Sequence, residues 1–197
     1  MEIFAFRYEL PIILFLEVVY FMKISVLIIA HNEEKHIVEC LHSIVHQTLI
    51  PQEIVLVAHN CTDRTIEYAK KFPNIKIISY LSEERWPLYA RIRGFQEVWW
   101  DIIACIDGDA IADKNWLQEV VKPFQNQKVV ATGGYVWFFE NSKIFSISFL
   151  FFTLKLWRPW YFWWANFCVR SSAFRKVSWF THLEKNWKKI WLFIYKW

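Results

Sequence analysis

The 197-residue sequence predicts an α/β fold in which helices cover both faces of a mostly parallel sheet. Between Ile24 and Phe124, apolar runs rich in β-branched residues alternate with stretches of helical spacing, the pattern of repeated strand and helix units. The composition is 55% hydrophobic with only four glycines, so a chain of this length can bury one core and form one domain. Ligands of such sheets bind where parallel strands end, so polar residues at those ends are candidate site residues.

The elements follow from two patterns. Ile24–Ala30 is a continuous apolar run, as in strands buried on both faces, and from Glu34 to His46 apolar residues recur at helical spacing. The same patterns predict strands at 54–57, 75–79 and 102–106 and helices at 62–71, 87–98 and 114–124. Residues 129–139 are predicted to form a strand pair or an extended segment, and residues 145–156 a core helix or a helix at a membrane interface.

Two segments flank the predicted core at residues 23–140. Residues 1–22 are interpreted as a hydrophobic leader or an upstream extension, because their apolar stretch is short for a membrane span and lacks the basic start of a signal peptide. Residues 141–197 form the other segment. They contain ten Lys and Arg against Glu184 alone, a charge of +9 within a chain of net charge +4.

The basic segment at 141–197 is also rich in aromatic residues, which suits an anionic membrane surface. Nucleic acid would attract the same charge, but apolar runs such as 149–152 favour lipid over stacked bases, so no nucleic-acid partner is expected. The four cysteines contain no Cys-x-x-Cys pair, which fits a reducing compartment. The expected location is therefore the cytoplasm, with peripheral attachment to the inner face of the membrane left open.

The clearest candidate site is Asp107-Gly108-Asp109, directly after the predicted strand 102–106. Two carboxylates this close can share a hard cation such as Mg²⁺ or Mn²⁺, which bridges the oxygens of a diphosphate. Gly108 would let the backbone approach the phosphates closely. The alternative is a solvated acidic turn that caps the next helix. His42 and His46 could similarly form half of a zinc site, but a polar helix face is favoured because no third ligand accompanies them.

Four motifs in order resemble the family 2 glycosyltransferases. Residues 24–34 resemble the opening strand and loop, residues 53–65 the second strand and its turn, residues 90–94 the following helix, and residues 107–109 the metal motif. The resemblance implies a GT-A (Rossmann-like) fold. It also implies an inverting, metal-dependent enzyme that moves a sugar from a nucleotide-diphosphate donor to a hydroxyl of a glycan or lipid-linked acceptor. Residues 23–140 would then bind the nucleotide sugar, and residues 141–197 would lie on the acceptor side.

The resemblance also implies roles for single residues. Ala30, His31 and Glu33 would line the nucleotide pocket. His59 stands near the position where the family places an acid that commonly reads the nucleotide base, which leaves the base open.

Two further residues carry alternative interpretations. Asp63 is expected to cap the second helix, with direct substrate contact as the alternative. Arg91 would either offer its planar guanidinium to the diphosphate or lie on the surface of an amphipathic helix.

The catalytic base is the least defined part of the predicted site. An inverting enzyme needs a carboxylate to deprotonate the acceptor hydroxyl, and Glu184 is the only carboxylate after Glu140. Glu184 is therefore the candidate, although it comes earlier than the family spacing places the base. Residues 187–197 are expected to be either a basic amphipathic helix or the end of a truncated gene. Truncation would leave a catalytically inactive nucleotide-binding or membrane-associated remnant.

Overall fold

The structure is a computed structural model that describes residues 22–83, 87–133 and 166–176. In these residues one six-stranded sheet has the order β3-β2-β1-β4-β6-β5. Its strands are β1 (Ile24–Ala30), β2 (Glu53–His59), β3 (Ile75–Tyr80), β4 (Ile102–Asp107), β5 (Ala131–Gly133) and β6 (Asn166–Arg170). Strands β1 to β4 are parallel, whereas β6 runs antiparallel to β4 and β5. The predicted mostly parallel sheet is confirmed.

The first four described helices follow the predicted order but are shorter, and the fifth was not predicted. They are α1 (Ile37–Val45), α2 (Thr65–Ala69), α3 (Pro87–Glu97), α4 (Trp116–Val121) and α5 (Ser171–Lys176). The predicted helix 114–124 ends early, because a 3₁₀ turn at Lys122–Gln125 carries Pro123 at its start and proline has no amide hydrogen to continue the α-helical pattern. Residues 145–156 and most of the predicted extended segment at 129–139 lie outside the described residues.

Strand β1 is buried along its whole length, and its two faces pack against different helices. Ile24, Val26 and Ile28 belong to a core cluster that includes the apolar side chains of α1 and α4. Leu27 and Ile29 belong to a second cluster, to which α3 contributes Ala90 and Phe95. Helices therefore cover both faces of the sheet, as predicted. Each fully buried aliphatic side chain contributes roughly 1.5–3 kcal/mol of hydrophobic stabilisation.

Strand β6 extends the sheet on the far side of β4. It comes from the segment 141–197, and its pairing aligns Asn166 with Ile106 and Arg170 with Ile102. The side chain of Asn166 also accepts a hydrogen bond from Trp116 Nε1 of α4 at 2.8 Å. This basic, aromatic segment thus contributes a strand to the same sheet as residues 23–140. None of the helices in the described ranges has the length and apolar character needed to cross a bilayer.

Helix α3 packs closely on β1 at Gly94. A Cβ atom at this position would lie 2.3 Å from Leu27 Cδ1 and 2.8 Å from Leu27 Cδ2, well inside van der Waals contact. Leu27 is fully buried, so its methyl groups have little room to move. The glycine of the motif at residues 90–94 is thus explained by helix–sheet packing.

Gly94→Ala is therefore expected to lower the free energy of unfolding by about 1–3 kcal/mol, because overpacking outweighs the gain in helix propensity. Urea unfolding followed by circular dichroism measures this difference. In a Leu27→Val background, which lacks both δ-methyl groups, the penalty should fall by at least half. A stabilising Gly94→Ala in the native background would contradict the close packing.

Candidate functional site

Three parallel strands end side by side at one edge of the sheet. In the β-pairing, Ala30 of β1 lies opposite Ala58 of β2, and Ile29 lies opposite Asp107 of β4. The loops that follow β1 and β2 and the turn that follows β4 therefore meet at this edge. This is where an open, parallel α/β sheet binds its ligands.

Asp107 is held by Arg91 from beneath this edge. The Arg91 side chain is only 5% exposed, and its Nη2 donates a hydrogen bond to Asp107 Oδ1. Arg91 thus lies in the interior, and its interpretation as a surface residue is wrong. Burial raises the pKa of Asp107 to about 6, while Arg91 opposes the rise and the nearby Asp109 and Glu33 add to it. The raised pKa of Asp107 thus comes mainly from burial, with a smaller contribution from the two neighbouring carboxylates.

Asp109 and Gly108 differ sharply in environment. Asp109 is exposed, whereas Gly108 is buried and its amide donates to Ile29 O at 2.8 Å. A Cβ on Gly108 would lie 2.9 Å from Ala30 Cβ and 3.0 Å from Ile29 O. The structural reason for this glycine is thus the close approach of β1, which the sequence analysis did not foresee. Contact with a phosphate remains a prediction.

The loops after β1 and β2 are joined by hydrogen bonds at Asp63. Its Oδ2 accepts from the Glu34 amide at 2.9 Å, and its Oδ1 accepts from the Thr65 amide at 3.0 Å. Thr65 Oγ1 in turn accepts from the Glu33 amide at 2.7 Å. The bond from the Thr65 amide ties Asp63 to the first residue of α2, although Arg64 and not Asp63 occupies the N-cap position. The bond from the Glu34 amide shows that Asp63 also holds the β1 loop in place.

Glu33 belongs to the same acidic edge. Its Oε2 lies 3.2 Å from His36 Nδ1. Burial raises the pKa of Glu33, with His36 acting against the rise and the charges of Asp109 and Asp63 adding to it. The loop after β1 and the turn after β4 therefore bring Glu33, Asp107 and Asp109 into one electrostatic neighbourhood, although they belong to different motifs.

The two histidines of the predicted nucleotide pocket differ in exposure. His31 is exposed, and its Nδ1 lies 2.8 Å from the carbonyl oxygen of His59. The His59 side chain is buried and stacks on Tyr80, with ring centroids 4.9 Å apart. His31 thus presents a side chain to solvent, whereas His59 supplies a backbone carbonyl and a buried ring. Tyr80 was not among the predicted site residues. It is identified by the parallel pairing of β2 and β3, which sets it opposite His59.

The carboxylates fit a hard cation that takes part of its coordination from a ligand. In the described parts of the chain, no three His, Cys, Asp or Glu side chains lie close enough to form a metal site by themselves. Asp109 is exposed, and Asp107 keeps a second oxygen beside the one that Arg91 binds. Carboxylate oxygens of this kind suit Mg²⁺ or Mn²⁺ when diphosphate oxygens and water complete the coordination.

Several predicted features lie elsewhere. Glu184 and residues 187–197 lie outside the described residues, so the candidate base stays a prediction. His42 and His46 stack with ring centroids 4.0 Å apart, and His46 Nδ1 donates to His42 O at 2.8 Å. The two histidines therefore interact with each other at the C-terminal end of helix α1.

The fold and this edge define an α/β domain whose polar residues gather where its parallel strands end, and the comparisons identify its family. The chain belongs to glycosyl transferase family 2, whose family model matches residues 25–183. It is 29% identical over 120 residues to a glucosyl-dolichyl phosphate glucuronosyltransferase of Haloferax volcanii. This match covers 58% of this chain and 38% of that protein. A dolichyl N-acetyl-α-D-glucosaminyl phosphate 3-β-D-2,3-diacetamido-2,3-dideoxy-β-D-glucuronosyltransferase of Methanococcus voltae is 29% identical over 113 residues, with 53% and 35% covered.

Solved structures support the GT-A fold. A mannosyltransferase from Pyrobaculum calidifontis in complex with GDP-Man and Mn²⁺ superposes with a TM-score of 0.61 at 20% identity, over 80% of this chain and 47% of that one. Glucosyl-3-phosphoglycerate synthase from Mycobacterium tuberculosis, in complex with Mn²⁺, UDP and phosphoglyceric acid, gives 0.60 at 17% identity, over 80% and 59%. The matched part thus spans 35% to 59% of the length of these four proteins.

Asp63→Asn is expected to lower the free energy of unfolding by about 1–2 kcal/mol near neutral pH, because the amide cannot replace both charge-assisted hydrogen bonds. Burial raises the pKa of Asp63, but hydrogen bonds from Thr65 and Glu34 outweigh it, so the net pKa is lowered. A lowered folded-state pKa stabilises the protein above the unfolded value of about 3.9, and this stability is lost as pH falls through the folded value.

Urea unfolding of the native protein and the Asp63→Asn variant, from about pH 7 down to about pH 3, measures this effect. The difference between the two proteins should shrink only below about pH 4. Glu39→Gln, an exposed change on α1, is the matched control and should leave stability within about 0.5 kcal/mol. A difference independent of pH would contradict the charged role of Asp63.

Proposed function

We propose that this glycosyltransferase binds a nucleotide-diphosphate sugar at the edge where β1, β2 and β4 end, and transfers the sugar to a hydroxyl acceptor with inversion. One observation carries the proposal. Asp107 and Asp109 follow β4 and Glu33 follows β1 at this edge, the charges of Asp109 and Glu33 act on Asp107, and the buried Arg91 contacts Asp107. Carboxylates repel a bare diphosphate, so the proposal includes a cation between these carboxylates and the phosphates of the donor.

Asp109, assisted by Asp107, would hold that Mg²⁺ or Mn²⁺. When bound, the cation neutralises charge on the diphosphate leaving group. Arg91 would keep the Asp107 carboxylate ionised and fixed in orientation, and the Asp63 hydrogen bonds would hold the β1 loop beside the donor. The Mn²⁺ complexes of the mannosyltransferase and the phosphoglycerate synthase support the choice of cation.

The acceptor is proposed to be a glycan or lipid-linked hydroxyl. The names of the Haloferax and Methanococcus relatives describe transfer involving dolichyl phosphates, which supports a lipid-linked acceptor. The basic, aromatic composition of residues 141–197 supports contact with an anionic membrane surface, which would bring the chain to such an acceptor. We therefore propose that the reaction takes place at a membrane surface, and the cysteine pattern, typical of a reducing compartment, supports the cytoplasmic face.

Asp109→Asn is expected to weaken Mn²⁺-dependent binding of UDP or GDP by at least about 100-fold, because the exposed carboxylate that faces the cation is lost. Isothermal titration calorimetry with and without Mn²⁺ measures the affinity. Because Asp109 is exposed, the variant should fold normally.

Glu119→Gln is the matched control, since it removes one exposed carboxylate from α4. Its affinity should equal that of the native protein. The metal-site proposal fails if the native protein binds neither nucleotide with Mn²⁺, or if Asp109→Asn leaves binding unaltered and independent of metal.

Glu184→Gln tests the proposed base. Donor hydrolysis, in which water takes the place of the acceptor, should fall by about 10²–10⁴-fold, while donor affinity stays unchanged, because a general base acts on the incoming hydroxyl and not on the nucleotide. The assay measures the release of UDP from UDP-glucose and of GDP from GDP-mannose. Unchanged turnover in the variant would remove Glu184 from the mechanism. Donor binding by a native protein without any turnover would support the catalytically inactive, nucleotide-binding alternative.

A further inference from the structure

Two adjacent tryptophans lie at the edge of the sheet opposite the candidate site. Trp99 and Trp100 come shortly before β4, so they lie at the edge where β1, β2 and β4 begin, which we call the amino edge. The Trp99 side chain is 68% exposed, and Trp100 is partly exposed. Apolar ring surface left in water is unfavourable, and covering it with another apolar surface gains free energy. The amino edge is therefore a candidate for contact with a partner.

Each tryptophan is paired with an exposed cation. Lys23 Nζ lies 4.2 Å from the centroid of the Trp100 ring, and the guanidinium carbon of Arg175 lies 4.9 Å from that of Trp99. Arg175 Nη2 also donates to Val98 O at 3.3 Å, which holds the guanidinium beside Trp99. A cation over an aromatic face keeps N–H groups that can bind phosphate oxygens. These two tryptophans and two cations, the amino-edge patch, thus combine apolar rings with positive charge.

Asp101 brings two parts of the chain together at this edge. Its Oδ2 accepts from the Lys23 amide at 3.1 Å, and its carbonyl oxygen accepts from the Ser171 amide, at the beginning of α5, at 2.9 Å. In the sequence, residues 1–21 come shortly before β1 and residues 177–197 follow α5. The first of these segments is mainly apolar, and the second contains four lysines, seven aromatic residues and a single acid. The composition of the chain on both sides therefore matches that of the patch.

We propose that the amino-edge patch binds the surface of an anionic membrane, with Trp99 and Trp100 among the headgroups and Lys23 and Arg175 on the lipid phosphates. Tryptophan is favoured at this interface because its ring is apolar and its indole N–H is polar, and cations are attracted by the negative surface potential. A second copy of the chain fits less well, because a symmetric contact would set the cations of the two patches against each other. The inference rests on the membrane contact in the proposed function and gives it a defined surface.

This surface leaves the candidate site open. Strand β1 contains seven residues, and a strand rises about 3.3 Å per residue, so the site edge lies roughly 20 Å from the amino edge. A nucleotide donor can then reach the site from solvent while the patch is on lipid. An acceptor sugar that extends from a lipid carrier would approach the same open edge.

Vesicle flotation of the full chain tests the patch, with phosphatidylcholine vesicles that contain about 30% phosphatidylserine. We expect the native protein to float with them. Trp99→Ser should lower the partition coefficient at least about fivefold, because the ring surface that lipid covers is lost. Lys23→Gln and Arg175→Gln should each lower it about fivefold, and should have little effect on vesicles of phosphatidylcholine alone.

The matched controls lie near the other edge. Leu81→Ser removes an apolar side chain that is 80% exposed directly after β3, and Lys35→Gln removes an exposed cation from the β1 loop. Both variants should keep the native partition coefficient. Circular dichroism and thermal unfolding establish that each variant is folded.

A label shows which edge meets the lipid. All cysteines except Cys61 are buried, and burial raises the pKa of their thiols, so they react slowly. In a Cys61→Ser background, Trp99→Cys and Leu81→Cys therefore each accept a bimane fluorophore at one position. Lipids with a nitroxide on the headgroup should quench bimane at residue 99 and leave bimane at residue 81 bright.

The inference is overturned if the native protein does not float with anionic vesicles, if Trp99→Ser binds as well as Leu81→Ser, or if both labels are quenched equally. Self-association in analytical ultracentrifugation that Trp99→Ser abolishes, without an effect on flotation, would assign the patch to contacts between copies and also overturn it. Calorimetry with UDP or GDP and Mn²⁺ tests donor binding separately. Donor binding without flotation would leave the proposed transfer reaction supported and remove the membrane surface.

Discussion

The complete burial of β1 constrains everything else at the site. This strand pairs with β2 on one side and β4 on the other, and helices cover both of its faces, so its side chains have no access to solvent until the chain leaves the sheet after Ala30. The polar residues that follow β1 must therefore appear at its carboxyl end. Gly108 brings the turn after β4 into direct contact with β1, since its amide bonds to Ile29 O and its missing side chain leaves room for Ala30. The acidic motif and the β1 loop are thus placed together by backbone packing.

Unlike the burial of β1, the ion pair between Arg91 and Asp107 contributes little to the stability of the fold. Removing a guanidinium from water costs several kcal/mol, and one carboxylate repays this only in part, so such a pair is a poor source of stability. Burial still dominates the raised pKa of Asp107 even with Arg91 in contact. The pair is better explained by the need for one oriented carboxylate at the ligand-binding edge. Arg91 supports that group from within the fold, while Asp109 is left exposed.

The sequence predicted the parts of the fold that depend on local patterns. The apolar run at Ile24–Ala30 and the helical spacing in α1 identified their elements because burial imposes those periods on the chain. The antiparallel β6 was not predicted, since its pairing with β4 depends on residues about 60 positions apart. The burial of Arg91 was also missed. A charged residue on an amphipathic helix usually faces solvent, and the contact of Arg91 with Asp107 at the end of β4 explains the exception.

The carboxylates near this edge differ in how many of their oxygens are already hydrogen-bonded. Asp63 spends both oxygens on the hydrogen bonds that join two loops, and Asp107 commits one oxygen to Arg91. Asp109 is exposed, and the raised pKa of Glu33 reflects burial together with the charge of Asp109. A ligand that approaches this edge therefore meets Asp109 first, with Asp107 behind it and Glu33 beside it. On the β1 side the exposed group is the imidazole of His31, which carries no charge when neutral and so does not add to the repulsion of the phosphates. The edge thus has a negative part, formed by carboxylates, and a part on the β1 side where an imidazole is exposed.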